Sequence, residues 1–301
     1  MASRSAPVSF ITAAAIALTA IMLFDVMAAI IKHVGNSYPA PQLSMFRNLF
    51  GLLPTALILW WSKNWVEAGR PLVLRQWKLG LLRGAFVALA QLCFYLALSR
   101  LEFAVATSIA FAGPLFVTAL SIPLLGHRVG GWRWMAVLIG FSGVLLVMQP
   151  SSSDFNWYAV LPLCAAFCYA CISVSARLFD ESVPTALINI YSNCGALIGS
   201  LIMIAVSGEF IPVAALQDWL WLLAMGSAGG IAVFCLVSAY RLADPSSLSP
   251  FEYFGIPFSF ALGWFVFSEL PFGRLVPGVF LIVGGGLLIV WREHVKKSNG
   301  V

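Results

Sequence analysis

Hydrophobic residues occur along the chain in long runs, and short polar breaks separate each run from the next. A helix needs about 20 apolar residues to cross the hydrocarbon core of a bilayer, and about ten runs reach that length. The pattern predicts an all-α integral membrane protein with ten transmembrane helices. The predicted spans, in chain order, are residues 10–31, 41–61, 77–98, 103–125, 132–148, 157–177, 184–206, 219–240, 246–268 and 275–291.

The same landmarks recur in the two halves of the chain. Lys32 is followed seven residues later by Pro39, and Arg177 is followed at the same spacing by Pro184. We therefore interpret residues 1–150 and 151–301 as two five-helix repeats. Because each repeat has an odd number of spans, the second enters the membrane from the opposite side and the repeats are inverted. Further matches are Gly80 and Gly84 with Gly226 and Gly230, Pro114 with Pro257, and Gly143 with Gly286.

Composition agrees with a membrane protein. Hydrophobic residues are 61% of the chain, charged residues are 10% and the mean hydropathy is +0.94, which excludes a water-soluble fold. The spans leave no room for a nucleotide-binding motor domain. With the N-terminus inside, twelve of the 17 lysines and arginines fall in cytoplasmic segments, so both termini are predicted to be cytoplasmic in a bacterial-type inner membrane. Lipid headgroups explain the net charge of +5, and no nucleic-acid partner is predicted.

The sequence contains no arrangement typical of an enzyme. All six cysteines fall in apolar spans, which favours packing over disulfides or a metal site. The sequence has no His-Glu-x-x-His or Gly-x-Ser-x-Gly run. We therefore predict no catalytic residue, no metal site and no cofactor. A channel is disfavoured because no filter-like repeat or charge ring is present.

Four ionisable residues lie inside the predicted spans, where each costs roughly 2.5–3.5 kcal/mol on insertion scales. Asp25 and Arg47 lie at similar depth, about two turns from the outer ends of spans one and two, and are predicted to pair. Arg83 and Glu252 lie about two turns from the cytoplasmic ends of spans three and nine and form a second predicted pair. These charges either serve as gates along a solute path, with one carboxylate carrying a coupling proton, or form static ion pairs.

Spans four and nine contain proline near their midpoints, where a backbone hydrogen bond is lost. Such breaks at the bilayer midplane expose carbonyl groups and allow bending. In carriers with inverted repeats they lie beside the substrate-binding site. We predict hinges here, with a passive kink as the alternative reading. The hinge candidates are Gly113, Pro114, Pro250, Gly255 and Pro257.

Aromatic and amide side chains deep in the spans are candidates to line a substrate cavity. A cavity for an amphipathic solute needs apolar walls with a few polar points. Helix packing and interhelical hydrogen bonds are the alternative role for each of these residues. The substrate-binding candidates are Gln91, Tyr95, Tyr169, Asn189, Tyr191, Asn193, Tyr240, Tyr253 and Trp264.

Small residues recur at a spacing of four in several spans and predict close helix approaches. The runs are Gly80 to Gly84, Gly195 to Gly199 and Gly226 to Gly230. Similar residues in spans five and ten leave open a homodimer through these two helices, with a monomer as the alternative.

Ten spans arranged as five plus five resemble the EamA-type members of the drug/metabolite transporter superfamily, over nearly the whole chain. In the second copy Glu269 follows the fourth helix, whereas the first copy has Gly126 or His127 there. The motifs that carry the resemblance are Asp25…Lys32…Pro39…Arg47, Tyr95-x-Ala97, Pro114…Leu125-Gly126-His127-Arg128, Pro257…Glu269 and Gly278.

Within that superfamily the chain looks most like the YddG-type amino-acid exporters. The resemblance implies a secondary transporter that exports amino acids, notably aromatic or neutral ones, and related metabolites by alternating access. It leaves open another metabolite class, such as a sugar, a nucleoside or a nucleotide-sugar. The expected partners are a small-molecule substrate and the lipid bilayer.

Overall fold

Every regular element in the described part of the chain is helical. The computed structural model describes residues 10–67, 69, 72–73, 75–113, 115–117, 119–120, 131–148, 156–175, 178–180, 183–242, 254–269, 277–285 and 287–288. A 3₁₀ turn, Trp157–Ala159, leads into the seventh helix, and residues 277–285 are helical. The helices are α1 (Phe10–Val34), α2 (Ala40–Trp60), α3 (Lys63–Glu67), α4 (Trp77–Leu98), α5 (Phe103–Ala110), α6 (Gly131–Met148), α7 (Val160–Ser175), α8 (Thr185–Ser207), α9 (Leu216–Leu242) and α10 (Gly255–Phe267).

Six of the described helices are long and apolar enough to cross a bilayer. They correspond to predicted spans one, two, three, six, seven and eight: Ile11–Val34, Ala40–Trp60, Trp77–Leu98, Trp157–Ser175, Thr185–Ser207 and Leu216–Leu236. Shorter apolar helical stretches lie in predicted spans four, five and nine: Phe103–Val117, which a turn at Phe111 and Ala112 interrupts, Leu138–Val147 and Gly255–Phe267. Large apolar side chains such as Ile11, Leu53 and Val206 are more than half exposed, as expected of surfaces that face lipid.

Local sequence explains where several helices begin and end. Pro39 and Pro184 precede the first turns of α2 and α8, where a missing N–H costs nothing. Gly208 ends α8 in the left-handed region at φ 67°, which a glycine adopts without strain. Helix α5 ends at Ala110 because the residue four positions later is Pro114, which has no N–H to donate to the Ala110 carbonyl.

The halves pack through pairs of helices, and each pairing recurs with the roles of the halves exchanged. By span order, α1, α2, α4 and α5 correspond to α7, α8, α9 and α10. Helix α1 packs on α9, and the equivalent pair with the halves exchanged is α7 on α4. Helix α2 also packs on α9, and the equivalent pair is α8 on α4. Helix α1 also contacts α10 as α7 contacts α5, and α2 packs directly on α8.

Glycine permits the closest approaches between the halves, as the spacing of small residues predicted. A Cβ atom on Gly84 would lie 2.5 Å from the Cα of Gly195, and one on Gly230 would lie 2.8 Å from the carbonyl oxygen of Gly51. A side chain at any of these positions would collide with backbone, so the glycines set the distance between α4 and α8 and between α2 and α9.

The small-residue face of α6 packs within the chain. A Cβ atom on Gly143 would lie 2.5 Å from the carbonyl oxygen of Gly278, and one on Gly140 would meet the side chain of Leu115 at 2.6 Å. These two glycines therefore do not provide the dimer face that we considered for spans five and ten.

Candidate functional site

A cluster of polar side chains lies buried between α2, α4 and α8. The Asn48 and Gln91 amides bond to each other twice, at 2.8 and 3.1 Å. The Ser44 hydroxyl donates to the Gln91 carbonyl oxygen at 2.6 Å and lies 2.8 Å from the Ser200 hydroxyl of the second half. These four residues, with Arg47 and Asn193, form what we call the central cluster.

Arg47 joins the two halves inside this cluster. Its Nη1 donates to the side-chain oxygens of Asn48 at 3.0 Å and Asn193 at 3.2 Å, and the residue is only 5% exposed. Its Nε has no hydrogen-bond partner in the described part of the chain. A Cβ atom on Gly229 of α9 would lie 3.0 Å from this Nε and 2.6 Å from the Met27 sulfur. Glycine at position 229 thus leaves room for the guanidinium between α1, α2 and α9.

Two tyrosines of the predicted site lie within electrostatic range of Arg47. Tyr95 is fully buried, and its hydroxyl has no hydrogen-bond partner among the described residues. Tyr169 on α7 also lies within electrostatic range of Arg47, and its side chain is 36% exposed. A guanidinium N–H and tyrosine hydroxyls together suit an anionic group such as a carboxylate.

A separate cavity of about 140 Å³ lies beside Asp25 and is lined by Ile21, Phe24, Asp25, Phe111 and Leu236. Asp25 is 6% exposed, and its Oδ2 has no hydrogen-bond partner within the described residues. We call this space the Asp25 cavity. It brings together α1, α9 and the segment that follows α5.

The predicted pair between Asp25 and Arg47 does not form. Arg47 is held by two amides, whereas Asp25 faces the cavity. Arg47 lies beside Gly229 of α9, and Asp25 lines a cavity with Leu236 of the same helix. These two positions on α9 are seven residues apart, which is about 10 Å along a helix. Similar depth in two adjacent spans does not ensure that the side chains meet, because each points in its own direction around the helix axis.

The second predicted pair cannot be placed, because Glu252 lies outside the described residues. Arg83 is 8% exposed, and its guanidinium lies 5.6 Å from the ring centre of Phe179 in a cation–π contact. Its Nε has no hydrogen-bond partner among the described residues.

The remaining substrate candidates are dispersed. Asn189 is buried on α8 at 7% exposure. The Tyr191 hydroxyl donates to the Leu72 carbonyl at 2.9 Å, beside the start of α4 and apart from the central cluster. Trp264 is 52% exposed on α10 and stacks on Phe265 with ring centres 4.8 Å apart. Tyr253 and the side chain of Tyr240 lie outside the described part of the structure.

The hinge candidates occupy different environments. A Cβ atom on Gly113 would meet nothing within 4 Å, whereas one on Gly255 would lie 2.5 Å from the Phe111 ring. Pro257 lies in the first turn of α10. Pro114 and Pro250 lie outside the described residues.

Sequence reasoning missed an ion pair that ties α1 to α10. The Lys32 Nζ lies 2.7 Å from the Glu269 Oε1 and donates to the Leu101 carbonyl at 2.8 Å. The Glu269 Oε2 accepts the Phe103 N–H at 2.7 Å, at the start of α5. We call these contacts the Lys32 latch. The predicted topology held the signal, since it places the end of span one and the end of span nine on the same side of the membrane.

Other bonds close the same end of the molecule, which we call the latch end. Gln42 at the start of α2 exchanges two hydrogen bonds with Ile211 after α8, at 2.7 and 2.9 Å. The Tyr38 hydroxyl donates to the Asp218 carboxylate of α9 at 2.6 Å, which raises the pKa of Tyr38. Helices α1, α4, α8 and α10 therefore end at the latch end, and α2, α5 and α9 begin there.

Sequence reasoning also missed the serine and amide members of the central cluster. Arg47 and Asn48 lie three and four residues after Ser44, so both lie on the same side of α2 as Ser44. That polar face inside an apolar span was the available signal. The structure thus defines a polytopic membrane protein with a polar interior between two halves.

Comparison with known proteins assigns the family. The EamA-like transporter family matches residues 11–149 and again residues 156–291. The chain belongs to the EamA-like transporter family and is a multi-pass membrane transporter.

Curated relatives carry different solutes. The S-adenosylmethionine uptake transporter of Rickettsia bellii is 25% identical over 92% of this chain and 91% of its own length. The pseudopaline exporter CntI of Pseudomonas aeruginosa is 28% identical over 89% of this chain and 92% of its own length. The riboflavin transporter of Vibrio cholerae is 30% identical over 64% of this chain and 63% of its own length. These names do not single out amino acids.

A solved crystal structure shares the fold. It superposes with a TM-score of 0.67 over 93% of this chain and 96% of its own, at 22% sequence identity. At that identity the likeness concerns the fold alone.

Proposed function

We propose that the chain is a secondary transporter built from two inverted five-helix repeats, residues 1–150 and 151–301, which expose a central site alternately to the two sides of the membrane. The directions of the helices support the inversion. Helix α1 ends at the latch end, and the Asn156 side chain before its counterpart α7 donates to the Arg100 carbonyl there, at 3.5 Å. The exchanged pairings between the halves and the repeated family match support the same arrangement.

Alternating access explains why the latch end is closed by polar contacts. Packed halves related by an in-plane pseudo-twofold can rock between two conformations around one site. The Lys32 latch and the Tyr38–Asp218 hydrogen bond are contacts of the kind that form in one conformation and break in the other. The charge bias of the loops places both termini in the cytoplasm of a bacterial-type inner membrane, with the latch end outside.

We propose amino acids and related carboxylate-bearing metabolites as the exported solutes. The observation that carries this proposal is Arg47, a buried cation between the halves whose Nε–H has no partner among the described residues, within electrostatic range of Tyr95 and Tyr169. A solute carboxylate would supply the missing acceptor in a site shielded from water. Carriage of another metabolite class is the second candidate, and the varied solutes named for the relatives favour it.

An efflux panel tests this function. Cells expressing the chain would be loaded with labelled amino acids, sugars and nucleosides, and the release of each would be timed against cells with an empty vector. We expect release of neutral and aromatic amino acids, abolished by Arg47→Gln and retained by Arg100→Gln, which alters an exposed arginine at the end of α4. Faster release of sugars or nucleosides alone would move the assignment to the second candidate.

A further inference from the structure

We propose that the Asp25 cavity is the subsite for the cationic group of the transported solute, a protonated amine carried on an apolar or aromatic body. This inference deepens the proposed function and rests on it. Arg47 lies beside Gly229 of α9 and Asp25 lines a cavity with Leu236 of the same helix, so a cationic and an anionic side chain both lie along α9 in the interior.

One oxygen of Asp25 lacks a partner in the described part of the chain. Asp25 is only 6% exposed, and its carboxylate lines the cavity. The Oδ2 atom accepts no hydrogen bond in the described part of the chain. A buried carboxylate without a partner costs several kcal/mol. A solute ammonium group in the cavity would supply both the opposite charge and the N–H donors that the described part of the chain does not provide.

The residues that line the cavity around Asp25 are aromatic or aliphatic. Phe24 and Phe111 give the cavity two aromatic rings, and Ile21 and Leu236 complete an apolar lining. Aromatic rings attract cations by roughly 0.5–2 kcal/mol, and an apolar lining gives no donor to an anion. A carboxylate within aromatic and aliphatic walls therefore selects an amine that carries carbon and rejects anions.

The volume of the cavity suits one part of a solute. About 140 Å³ is roughly four to five times the 30 Å³ that one water molecule occupies in the liquid. It is smaller than the roughly 300–1,000 Å³ of a site that encloses a whole drug-sized ligand. The cavity thus fits an ammonium group with its nearest carbons, which is what a subsite requires.

Gly255 keeps this cavity open. A Cβ atom at position 255 would lie 2.5 Å from the Phe111 ring and 2.8 Å from the Ile21 side chain. An alanine there would push the Phe111 ring away from its position in the wall. The glycine that begins α10 therefore contributes to the shape of the subsite, in addition to its proposed role as a hinge.

Calorimetric titration of the purified full chain with three probes tests the proposal. Phenylalanine carries both charges, 2-phenylethylamine carries only the amine, and 3-phenylpropionate carries only the carboxylate. We expect Asp25→Asn to weaken binding of the two amines at least tenfold and to leave 3-phenylpropionate within about twofold. Glu209→Gln, which neutralises an exposed carboxylate after α8, should change none of the three.

Several results would overturn the proposal. They are equal weakening of all three probes by Asp25→Asn, no weakening of any, or failure of the wild-type chain to bind 2-phenylethylamine. Unchanged binding with loss of pH-driven transport would identify Asp25 as a proton carrier instead. If Asp25→Asn does not fold, Phe111→Leu carries the test: selective loss of the amines supports the subsite, and equal loss overturns it. Efflux of amino acids with amine binding independent of Asp25 would refute this inference and leave the proposed function intact.

Discussion

The Lys32 latch and the Asp25 cavity each contain a carboxylate in the helix bundle, and the two carboxylates differ in their partners. At the latch, both oxygens of Glu269 are bonded by the chain, one by the Lys32 ammonium and one by the Phe103 N–H. At the cavity, Asp25 has an oxygen without a partner in the described structure, although Asp25 is the more buried residue. The carboxylate of Glu269, which holds helices together, has a partner for each oxygen. The carboxylate of Asp25, which lines the cavity, has an oxygen without a partner in the described structure.

This difference separates two functions of buried charge. A paired charge fixes the relative position of helices and can act as a gate when the pair breaks. An unpaired charge beside a cavity lowers the stability of the empty protein and gains a partner when ligand binds. Arg47 combines the two patterns, since two amides hold its Nη1 while its Nε has no hydrogen-bond partner in the described structure.

The largest expected effect comes from breaking the latch. Lys32→Met leaves Glu269 with one backbone donor and removes about 2 kcal/mol from the closed latch end, which favours opening by roughly 30-fold. Spin labels at Glu102 in the first half and Glu209 in the second, both exposed at the latch end, should then show a longer distance by electron–electron double resonance in a cysteine-free background. Lys78→Met, at an exposed position at the other end of α4, is the control. An unchanged distance distribution would mean that the latch does not hold this end closed.

The next effect is expected at Arg47. Arg47→Lys keeps the charge but loses the planar geometry that reaches Asn48 and Asn193 together. We expect the apparent affinity for a transported amino acid to fall about tenfold, with protein stability retained. Concentration-dependent uptake into proteoliposomes measures this. Wild-type affinity in Arg47→Lys would show that the guanidinium makes no directed contact with the solute.

A smaller effect is expected from the glycines that bring the halves together. Gly84→Ala places a methyl group 2.5 Å from the Gly195 Cα and 2.6 Å from the Ser192 carbonyl oxygen. Because both are backbone atoms that cannot move aside, the substitution should destabilise the fold by roughly 1–3 kcal/mol. Thermal unfolding in detergent should show a lower midpoint. Gly113→Ala is the matched control, since its methyl group would meet nothing within 4 Å and should leave the midpoint unchanged or slightly higher. If Gly113→Ala slows transport without loss of stability, position 113 is a hinge.

The smallest effect is expected at Trp264. The indole is half exposed and stacks only on its neighbour Phe265 among the described aromatic contacts. Trp264→Ala should therefore change the efflux rate by less than about twofold. A larger loss of efflux, with the thermal midpoint retained, would place Trp264 on the solute path as the sequence predicted.

Much of the helical framework follows from the sequence because hydrophobicity is the dominant signal in a bilayer. The third span was predicted as residues 77–98, and α4 has the same bounds. The Gly84 and Gly230 contacts also follow, since only a residue without a side chain tolerates such approaches. Helix α1 extends a turn beyond its predicted end, to Val34, because His33 and Lys32 are compatible with a helix although they are not apolar.

The candidate site was harder to predict because contacts depend on where each side chain points. Asp25 and Arg47 were assigned to one pair from depth alone, and they lie in different surroundings. The Lys32 latch joins residues from opposite ends of the sequence, and no local pattern encodes such a contact. The central cluster needed three helices to be placed before its amides could be recognised as partners.

Counterflow in proteoliposomes tests the central claim most directly, namely that two halves close in turn around one site. Vesicles containing the purified chain would be loaded with an unlabelled amino acid that the efflux panel identifies, and uptake of the labelled compound would be timed. The account predicts that internal solute accelerates labelled uptake, because the loaded site returns faster than the empty one, and that Arg47→Gln removes this acceleration. Uptake at the same rate with and without internal solute would contradict alternating access and indicate a channel.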